Sequence, residues 1–414
     1  MSQTSPLDPQ TIELVKASVP FLKEHGEELT KCFYRRLFQA NPEVLALFNQ
    51  AHQHSGSQQR ALAAAICSYA MHIDNPSELS AAIAQITQKH VSLGVRPEHY
   101  PIVGKHLLAA IGELLGANAS EELVTAWSKA YMFLAGVFID KEEKDYVAQT
   151  KSQGGWKGRR TFRVRKKTLE SVEVASLHLE PEDNKGLPSF LPGQYITLYP
   201  SGANPSPSPR NYSLSHRPGR RSWRISIKRH YPAQSHLPAG TVSNFLHDKI
   251  SMGDSVELGP PCGVFHLMPE DCVGKTIVLL SAGVGQTPVL SMLHSLAKAK
   301  TAARVIYVHV ARDGRHHAFR DEIEELQEEW PELIARYLYT RPDAADLKAQ
   351  RYTTGPLTES LWTEAQSDPQ AEYYFCGPKR FMKDIHALLA DCHVPLERQH
   401  CEFFGAAESL EGAK

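Results

Sequence analysis

The chain has 414 residues, 42% hydrophobic and 22% charged, which is too long for one ordinary core and has the composition of folded domains rather than disorder. Lysine and arginine (45) nearly balance aspartate and glutamate (46) for a formal charge of −1, which excludes the basic footprint of a nucleic-acid binder. No apolar run approaches the roughly 18 residues of a membrane span, and Met1-Ser2-Gln3-Thr4-Ser5-Pro6 lacks the basic and apolar stretches of a secretory signal.

Residues 8 to about 148 read as helices throughout. Asp8 can cap the first, with Pro9 at its first position, where the missing N–H costs nothing. Ile12, Val15 and Val19 follow at helical spacing, Asn41-Pro42-Glu43 restarts a helix after a break, and Ala61 to Met71 is rich in strong helix formers. Leu123, Ala126, Trp127, Ala130, Tyr131, Leu134 and Val137 give a long helix with a broad apolar face. Lys151 to Gly158 has the glycine and polar content of a linker. Short alternating segments come next, around Phe162 and Val164, Val172 and Val174, and Trp223, Ile225 and Ile227. Turns rich in proline and glycine, notably Ser201 to Pro209, separate them, as in a small antiparallel barrel. From about residue 270 the pattern changes again. Ile277-Val278-Leu279-Leu280, Val305-Ile306-Tyr307-Val308 and Tyr373-Tyr374-Phe375 are continuous apolar strands with helix-like segments between them, the pattern of a parallel sheet covered on both faces. The seven cysteines (Cys32, Cys67, Cys262, Cys272, Cys376, Cys392, Cys401) include no Cys-x-x-Cys pair. They point to a reducing, cytoplasmic setting and away from a disulfide framework or structural zinc.

Three motifs carry chemistry. Gly283-Val284-Gly285-Gln286-Thr287-Pro288 follows a buried strand and precedes an apolar helix starting near Val289. On its glycines alone the loop reads equally as a tight turn. Its placement favours a nicotinamide-nucleotide seat, where the backbone approaches a pyrophosphate at a helix N-terminus. Cys376-Gly377-Pro378 closes another strand of the same sheet and supports a shared pocket at the strand ends. Arg210-Asn211-Tyr212-Ser213 offers a cation for phosphate, a ring to cover a flat cofactor and a hydroxyl, although alone it is also a plain strand with a surface arginine. Tyr195, in Pro192-Gly193-Gln194-Tyr195, lies upstream. Val242 and Ser243, in Gly240-Thr241-Val242-Ser243-Asn244, lie downstream with small hydrogen-bonding groups for a diphosphate. In the helical part, Gln88-Lys89-His90 supplies one histidine among 20, and a lone helical histidine is more often an ordinary solvated or core residue than a ligand.

Together these motifs resemble the ferredoxin–NADP reductase type of flavin module. With the helical domain ahead of it, the chain from residue 8 to about 406 resembles a flavohaemoglobin, the nitric oxide dioxygenase family. The resemblance implies an all-α globin domain over residues 1–150, an antiparallel β-barrel FAD domain over 151–268 and an α/β parallel-sheet NAD(P)-binding domain over 269–414. It makes His90 the haem iron ligand, polarised by Tyr100 and Glu142. Tyr34 of the Phe33-Tyr34 pair and Gln58 become the distal hydrogen-bonding residues and Leu62 the distal apolar one. Phe48, in a helix break, packs on haem, and Lys89 tunes the haem and flavin potentials. Glu402-Phe403-Phe404-Gly405, followed by Ala406, resembles the family's closing Glu-x-Phe-Gly. Phe404 would cover one flavin face until nicotinamide displaces it, and Glu402 would sit near the flavin. Phe403 departs from the cysteine frequent there, and Tyr231 to Pro238 is longer than the turn of some bacterial relatives. His52 and His54 receive no role.

The implied activity is conversion of nitric oxide and oxygen to nitrate, with electrons passing from NADH or NADPH through FAD to haem, in a monomer. A lipid or azole in the distal pocket is a further ligand the resemblance admits. Arg312 and Arg315 follow the second sheet strand and either meet a 2′-phosphate or face solvent, so the nucleotide preference stays open. Two other classes compete. A haem sensor or carrier would not need the reductase, and a flavin reductase for iron chelates or quinones would use the helical domain only structurally.

Overall fold

A computed structural model describes residues 6–48, 53, 56–200, 208–231, 240–349, 352–354 and 368–404. The chain divides into two compact units, Met1–Lys151 and Ser152–Phe404.

The first unit is all-helical. Its helices are α1 (Pro9–Ala17), α2 (Val19–Ala40), α3 (Ser57–Met71), α4 (Ser80–Leu93), α5 (His99–Leu115) and α6 (Glu121–Lys151). Asp8 caps α1 as its sequence position suggests, its carboxylate accepting the Thr11 N–H at 2.9 Å. The segment restarted by Asn41-Pro42 winds as a 3₁₀ helix over Pro42–Leu47 instead of an α-helix. Leu29, Phe33, Leu37, Ile73, Ala110 and Trp127 make the core. Leu29 and Leu37 are fully buried, each contributing about 1.5–3 kcal/mol. Small residues set the helix spacing. A Cβ on Gly26 would stand 3.3 Å from that of Ala63, and one on Gly104 only 2.5 Å from the Tyr131 ring. By length and composition alone α6 passes for a membrane-crossing helix. Its inward face carries Trp127, Phe138, Glu142 and Tyr146, all buried, so here α6 is a core helix of the bundle.

In the second unit an antiparallel six-stranded sheet comes first, in the order β4-β3-β6-β1-β2-β5. The strands are β1 (Arg160–Leu169), β2 (Val174–Pro181), β3 (Tyr195–Tyr199), β4 (Arg210–Ser213), β5 (Trp223–Lys228) and β6 (Ser255–Leu258). A bridge between Leu214 and Ile225 joins the two edges and closes the sheet into a barrel. Phe162 and Trp223 stack in its core with ring centroids 5.5 Å apart. Two sequence expectations need correction. Val172 lies before β2 and is exposed. Alternation along β5 is not an inside–outside pattern, because Arg224 and Ser226 are buried as well as Trp223, Ile225 and Ile227. Helix α7 (Thr241–Asp248) packs Val242 and Leu246 on the barrel. Lys167 of β1 holds its far end by donating to the Leu246, His247 and Ile250 carbonyls, the groups a helix C-terminus leaves unpaired.

The parallel sheet follows, in the order β10-β9-β8-β7-β11-β12. Its strands are β7 (Thr276–Ala282), β8 (Arg304–Ala311), β9 (Leu333–Tyr339), β10 (Thr353–Thr354), β11 (Glu372–Cys376) and β12 (Gln399–Glu402). Helices α8 (Gln286–Ala299), α9 (Arg320–Glu329), α10 (Ala344–Ala349) and α11 (Lys379–Asp391) alternate with them. All seven residues of β7 are buried, as expected for a strand covered on both faces. None of the seven cysteines is disulfide-bonded.

Candidate functional site

In the first unit His90 sits in the last turn of α4, which ends at Gly94 in the left-handed conformation (φ 76°). The Gly94 and Val95 N–H groups both bond the His90 carbonyl, fixing the backbone behind the imidazole. Nδ1 lies 2.8 Å from Glu142 Oε1 and 3.1 Å from the Tyr100 hydroxyl, and Tyr100 also donates to Glu142 Oε1. Glu142 is 2% exposed. Burial and then the bond to Glu142 push the Tyr100 phenol well above its usual range. Because a carboxylate only accepts, Nδ1 carries the proton and Nε2 holds the lone pair. Among the described residues nothing bonds Nε2, and the imidazole is 30% exposed over a buried carboxylate. That donor set fits a metal on Nε2 backed by an anionic hydrogen-bond acceptor. Lys89 is exposed beside it.

The other polar group in this unit centres on Tyr34, 5% exposed on α2. Its ring meets Phe48 edge-on at 5.7 Å and stacks on Phe38 at 5.6 Å. Burial raises its phenol pKa, against hydrogen bonds with Gln58 and Gln53. Gln53 donates to Gln58 Oε1 at 2.9 Å and accepts from Gln59 Nε2 at 2.9 Å. Leu62 and Phe48 pack on the same core. Gln53 went unnoticed in the sequence, since one glutamine in a short inter-helix stretch has no spacing signature. His52 and His54 lie outside the described residues.

In the second unit β3 and β4 pair so that Tyr195 faces Ser213, Thr197 faces Asn211 and Leu198 faces Arg210. Thr197 donates to Asn211 Oδ1 at 2.9 Å. Arg210 donates only to the Ser208 and Pro209 carbonyls, both at 3.0 Å, so among the described residues no carboxylate neutralises it. Ser213 is 5% exposed and its hydroxyl has no hydrogen-bond partner among the described residues. Burial raises the Tyr212 phenol pKa. Gly240 opens α7 where a Cβ would lie 2.7 Å from both His230 Cβ and Ser243 Oγ, so Ser243 closes tightly on the turn, with Val242 buried behind it. An unneutralised cation, a buried orphan hydroxyl and a helix N-terminus fit a flavin diphosphate and its polar edge. Residues 232–238 of the long segment after Tyr231 lie outside the described residues.

At the ends of β7 and β11, Gly283 takes φ 52° and α8 begins at Gln286, three residues before the expected Val289. A Cβ on Gly285 would lie 2.3 Å from the Cys376 carbonyl oxygen, so only glycine lets this loop rest on Cys376-Gly377. Gln286 is buried and donates to the Tyr307 hydroxyl at 2.7 Å, Thr287 donates to the Val284 carbonyl at 3.0 Å, and Pro288 is buried. Burial drives the Cys376 thiol well above its usual pKa, and Pro378 precedes α11. Glu402 ends β12 opposite Cys376. Phe403 packs on the core under the sheet and Phe404 is 48% exposed. Gly405 and Ala406 lie outside the described residues. Arg312 and Arg315 are exposed, Arg312 bonding His316.

A helical unit with a carboxylate-backed histidine, joined to a flavin-type barrel and a nucleotide-type sheet, defines a haem protein that carries its own reductase. The globin family model matches residues 31–138, the oxidoreductase FAD-binding domain 161–267 and the oxidoreductase NAD-binding domain 279–387. A flavohemoprotein of Rhodopirellula baltica is 47% identical, covering 98% of this chain and 99% of that one. One of Chromobacterium violaceum is 46% identical, covering 97% and 98%. The crystal structure of a Malassezia yamatoensis flavohemoglobin with bound FAD and heme superposes with a TM-score of 0.82 at 27% identity, over 96% of this chain and 100% of that one. The FAD/NAD-binding domain of a Vibrio cholerae nitric oxide dioxygenase matches at 33% identity with a TM-score of 0.53, over 59% of this chain and 98% of that one. The chain belongs to the flavohemoprotein family. Its cofactors are haem, FAD and a nicotinamide nucleotide.

Proposed function

We propose that the chain is a nitric oxide dioxygenase, converting nitric oxide and oxygen to nitrate with electrons from NADH or NADPH, and that it divides into haem (1–150), FAD (151–268) and nucleotide (269–414) domains. Bound haem supplies a redox iron centre, and bound FAD divides a hydride into single electrons. The observation that carries the reading is the Glu142–His90–Tyr100 cluster. Glu142 holds the Nδ1 proton and orients the imidazole so that Nε2 is the ligating nitrogen, and its charge makes that nitrogen more electron-rich. Such a ligand favours oxygen activation over reversible carriage. Tyr34, held by Gln58 and Gln53, offers a buried O–H to a small polar ligand. Phe48 and Leu62 present apolar surface there, suited to excluding water and to a lipid or azole as a further ligand. Arg210 neutralises the flavin diphosphate together with the N-terminus of α7 at Val242 and Ser243, while Asn211, Tyr212, Ser213 and Tyr195 orient the flavin. Gly283 to Pro288 and Cys376 to Pro378 take the nucleotide, and Glu402 to Phe404 border the flavin. Seven unbonded cysteines support a cytoplasmic setting.

The test uses the purified full-length protein under absorbance. NADH is added without oxygen, then oxygen, then a pulse of nitric oxide. Flavin bleaching, successive haem-band changes and nitrate formed in step with nitric oxide loss are expected. A haem that takes oxygen but leaves nitric oxide untouched refutes the reading in favour of a carrier or sensor.

A further inference from the structure

Three side chains from three places in the second unit converge on one carboxylate. Glu322, on α9 of the nucleotide-type sheet, receives Arg224 Nη1 at 2.8 Å on Oε2 and Nη2 at 3.0 Å on Oε1. Arg224 is on β5 of the barrel, 7% exposed, with its other donors on Ser215. His294 of α8, the helix that begins at the glycine loop, bonds Glu322 Oε1 through Nε2. His216, three residues beyond Ser213, points Nε2 at the same oxygen from 3.9 Å. The two imidazoles are stacked, with centroids 4.3 Å apart and 12° between planes. Ser291 of α8 donates to the His216 carbonyl at 2.8 Å. Burial opposes the charge on Glu322, but the His294 bond and the Arg224 charge hold its pKa down at about 2.

Two histidines and a glutamate this close have the spacing of a metal site, but the proton inventory argues otherwise. Nδ1 of His216 accepts the Arg217 N–H at 2.8 Å, so its proton resides on Nε2, which has no lone pair to give. A guanidinium already holds both carboxylate oxygens. The cluster is therefore closed by its own charges.

We infer that Glu322 is a positioning residue that latches the flavin seat to the nicotinamide seat and so sets the distance over which hydride passes. The strand bearing Arg210 to Ser213 leads directly into His216, and the Gly283 loop leads directly into the helix bearing His294 and Ser291. Loosening Glu322 lets these two seats drift while each keeps its own cofactor contacts. A misplacement of about 1 Å costs on the order of 100-fold in rate, whereas nucleotide affinity, set by the loop, changes little.

The inference rests on the seats proposed above. Rapid flavin reduction by NADH in the unaltered protein tests those seats, and the variants test the latch. In stopped-flow mixing of the full chain, Glu322→Gln is expected to reduce flavin about 10- to 100-fold more slowly at saturating NADH, with FAD content, flavin midpoint potential and the half-saturating NADH concentration near the unaltered values. Glu322→Asp recovers part of the rate. Arg224→Lys, altered from the barrel side, gives the same split should Glu322→Gln fail to retain FAD. An unaltered limiting rate in Glu322→Gln overturns the inference, as does stoichiometric zinc that is lost with His294→Asn.

Discussion

Glu142→Gln tests the haem ligand directly. The amide keeps the shape and still accepts the Nδ1–H of His90, now at 2.8 Å, but removes the negative charge. A hydrogen bond to a charged group contributes about 1.5–3 kcal/mol and a neutral one about 0.5–1.5 kcal/mol. The lost difference, about 1–1.5 kcal/mol, falls on the oxidation state with more positive charge on iron and imidazole. At about 59 mV per tenfold for one electron, the haem midpoint potential should rise by about 40–65 mV. Turnover should fall about 10- to 100-fold, the range for lost partners of a metal-ligating histidine. Potential is read by spectroelectrochemical titration and turnover as nitrate formed per haem. Because Glu142 Oε2 is already a buried orphan, the new amide N–H₂ costs about 1–3 kcal/mol of stability, so haem content must be matched before rates are compared. Tyr100→Phe, which keeps the charge and removes one donor, should shift the potential less. A fully loaded Glu142→Gln protein with an unmoved potential would refute the assignment of His90 and Glu142.

Four further outcomes are expected. Tyr34→Phe removes one neutral donor and should speed oxygen dissociation about 2- to 13-fold, and an unchanged rate by flash photolysis counts against that role. Ser213→Ala removes an orphan hydroxyl, so it should weaken FAD binding by a similar ~2- to 13-fold without lowering the melting temperature of FAD-stripped protein; equal loss in both would mark the serine as structural. Gly285→Ala forces a Cβ to 2.3 Å from the Cys376 carbonyl oxygen and should abolish NADH-driven flavin reduction while the FAD spectrum survives; normal reduction would be the contrary result. Burial lowers the pKa of His309 from 6.5 to about 3. Its neutral form is the folded one, so its stabilisation is complete above pH 6.5 and fades as pH falls toward 3, with a slope of up to about 1.4 kcal/mol per pH unit. His309→Gln should flatten the acid limb of melting temperature against pH, and an identical limb would exclude this source of acid lability.

Much of this organisation was legible because it is local. A capped Asp8-Pro9 start and the buried runs of β7, β8 and β11 each announce themselves within a few residues. His90, Tyr100 and Glu142 became readable as a group only through the family resemblance, because they come from three helices. Where side chains meet across long separations the sequence is silent. Gly285 looks like any turn glycine until Cys376 is seen against it. Gln53 has no periodicity to mark it, and Arg224 looked like the polar side of an alternating strand until Glu322 was found to bury it. The 3₁₀ turn at Pro42–Leu47 was misread because helix composition does not distinguish the two windings.

The double-sided burial of β5 bears on how this protein can be divided. A barrel faced with water would travel as an independent cassette, able to be cut after residue 268 and grafted elsewhere. Here the barrel's Arg224 is neutralised by a carboxylate from a helix encoded some hundred residues later, and stripping the partner from a buried ion pair costs about 3–5 kcal/mol. The two nucleotide-binding halves are thus coupled by charge, and a barrel expressed without the helix that bears Glu322 is expected to be destabilised by its unpaired Arg224.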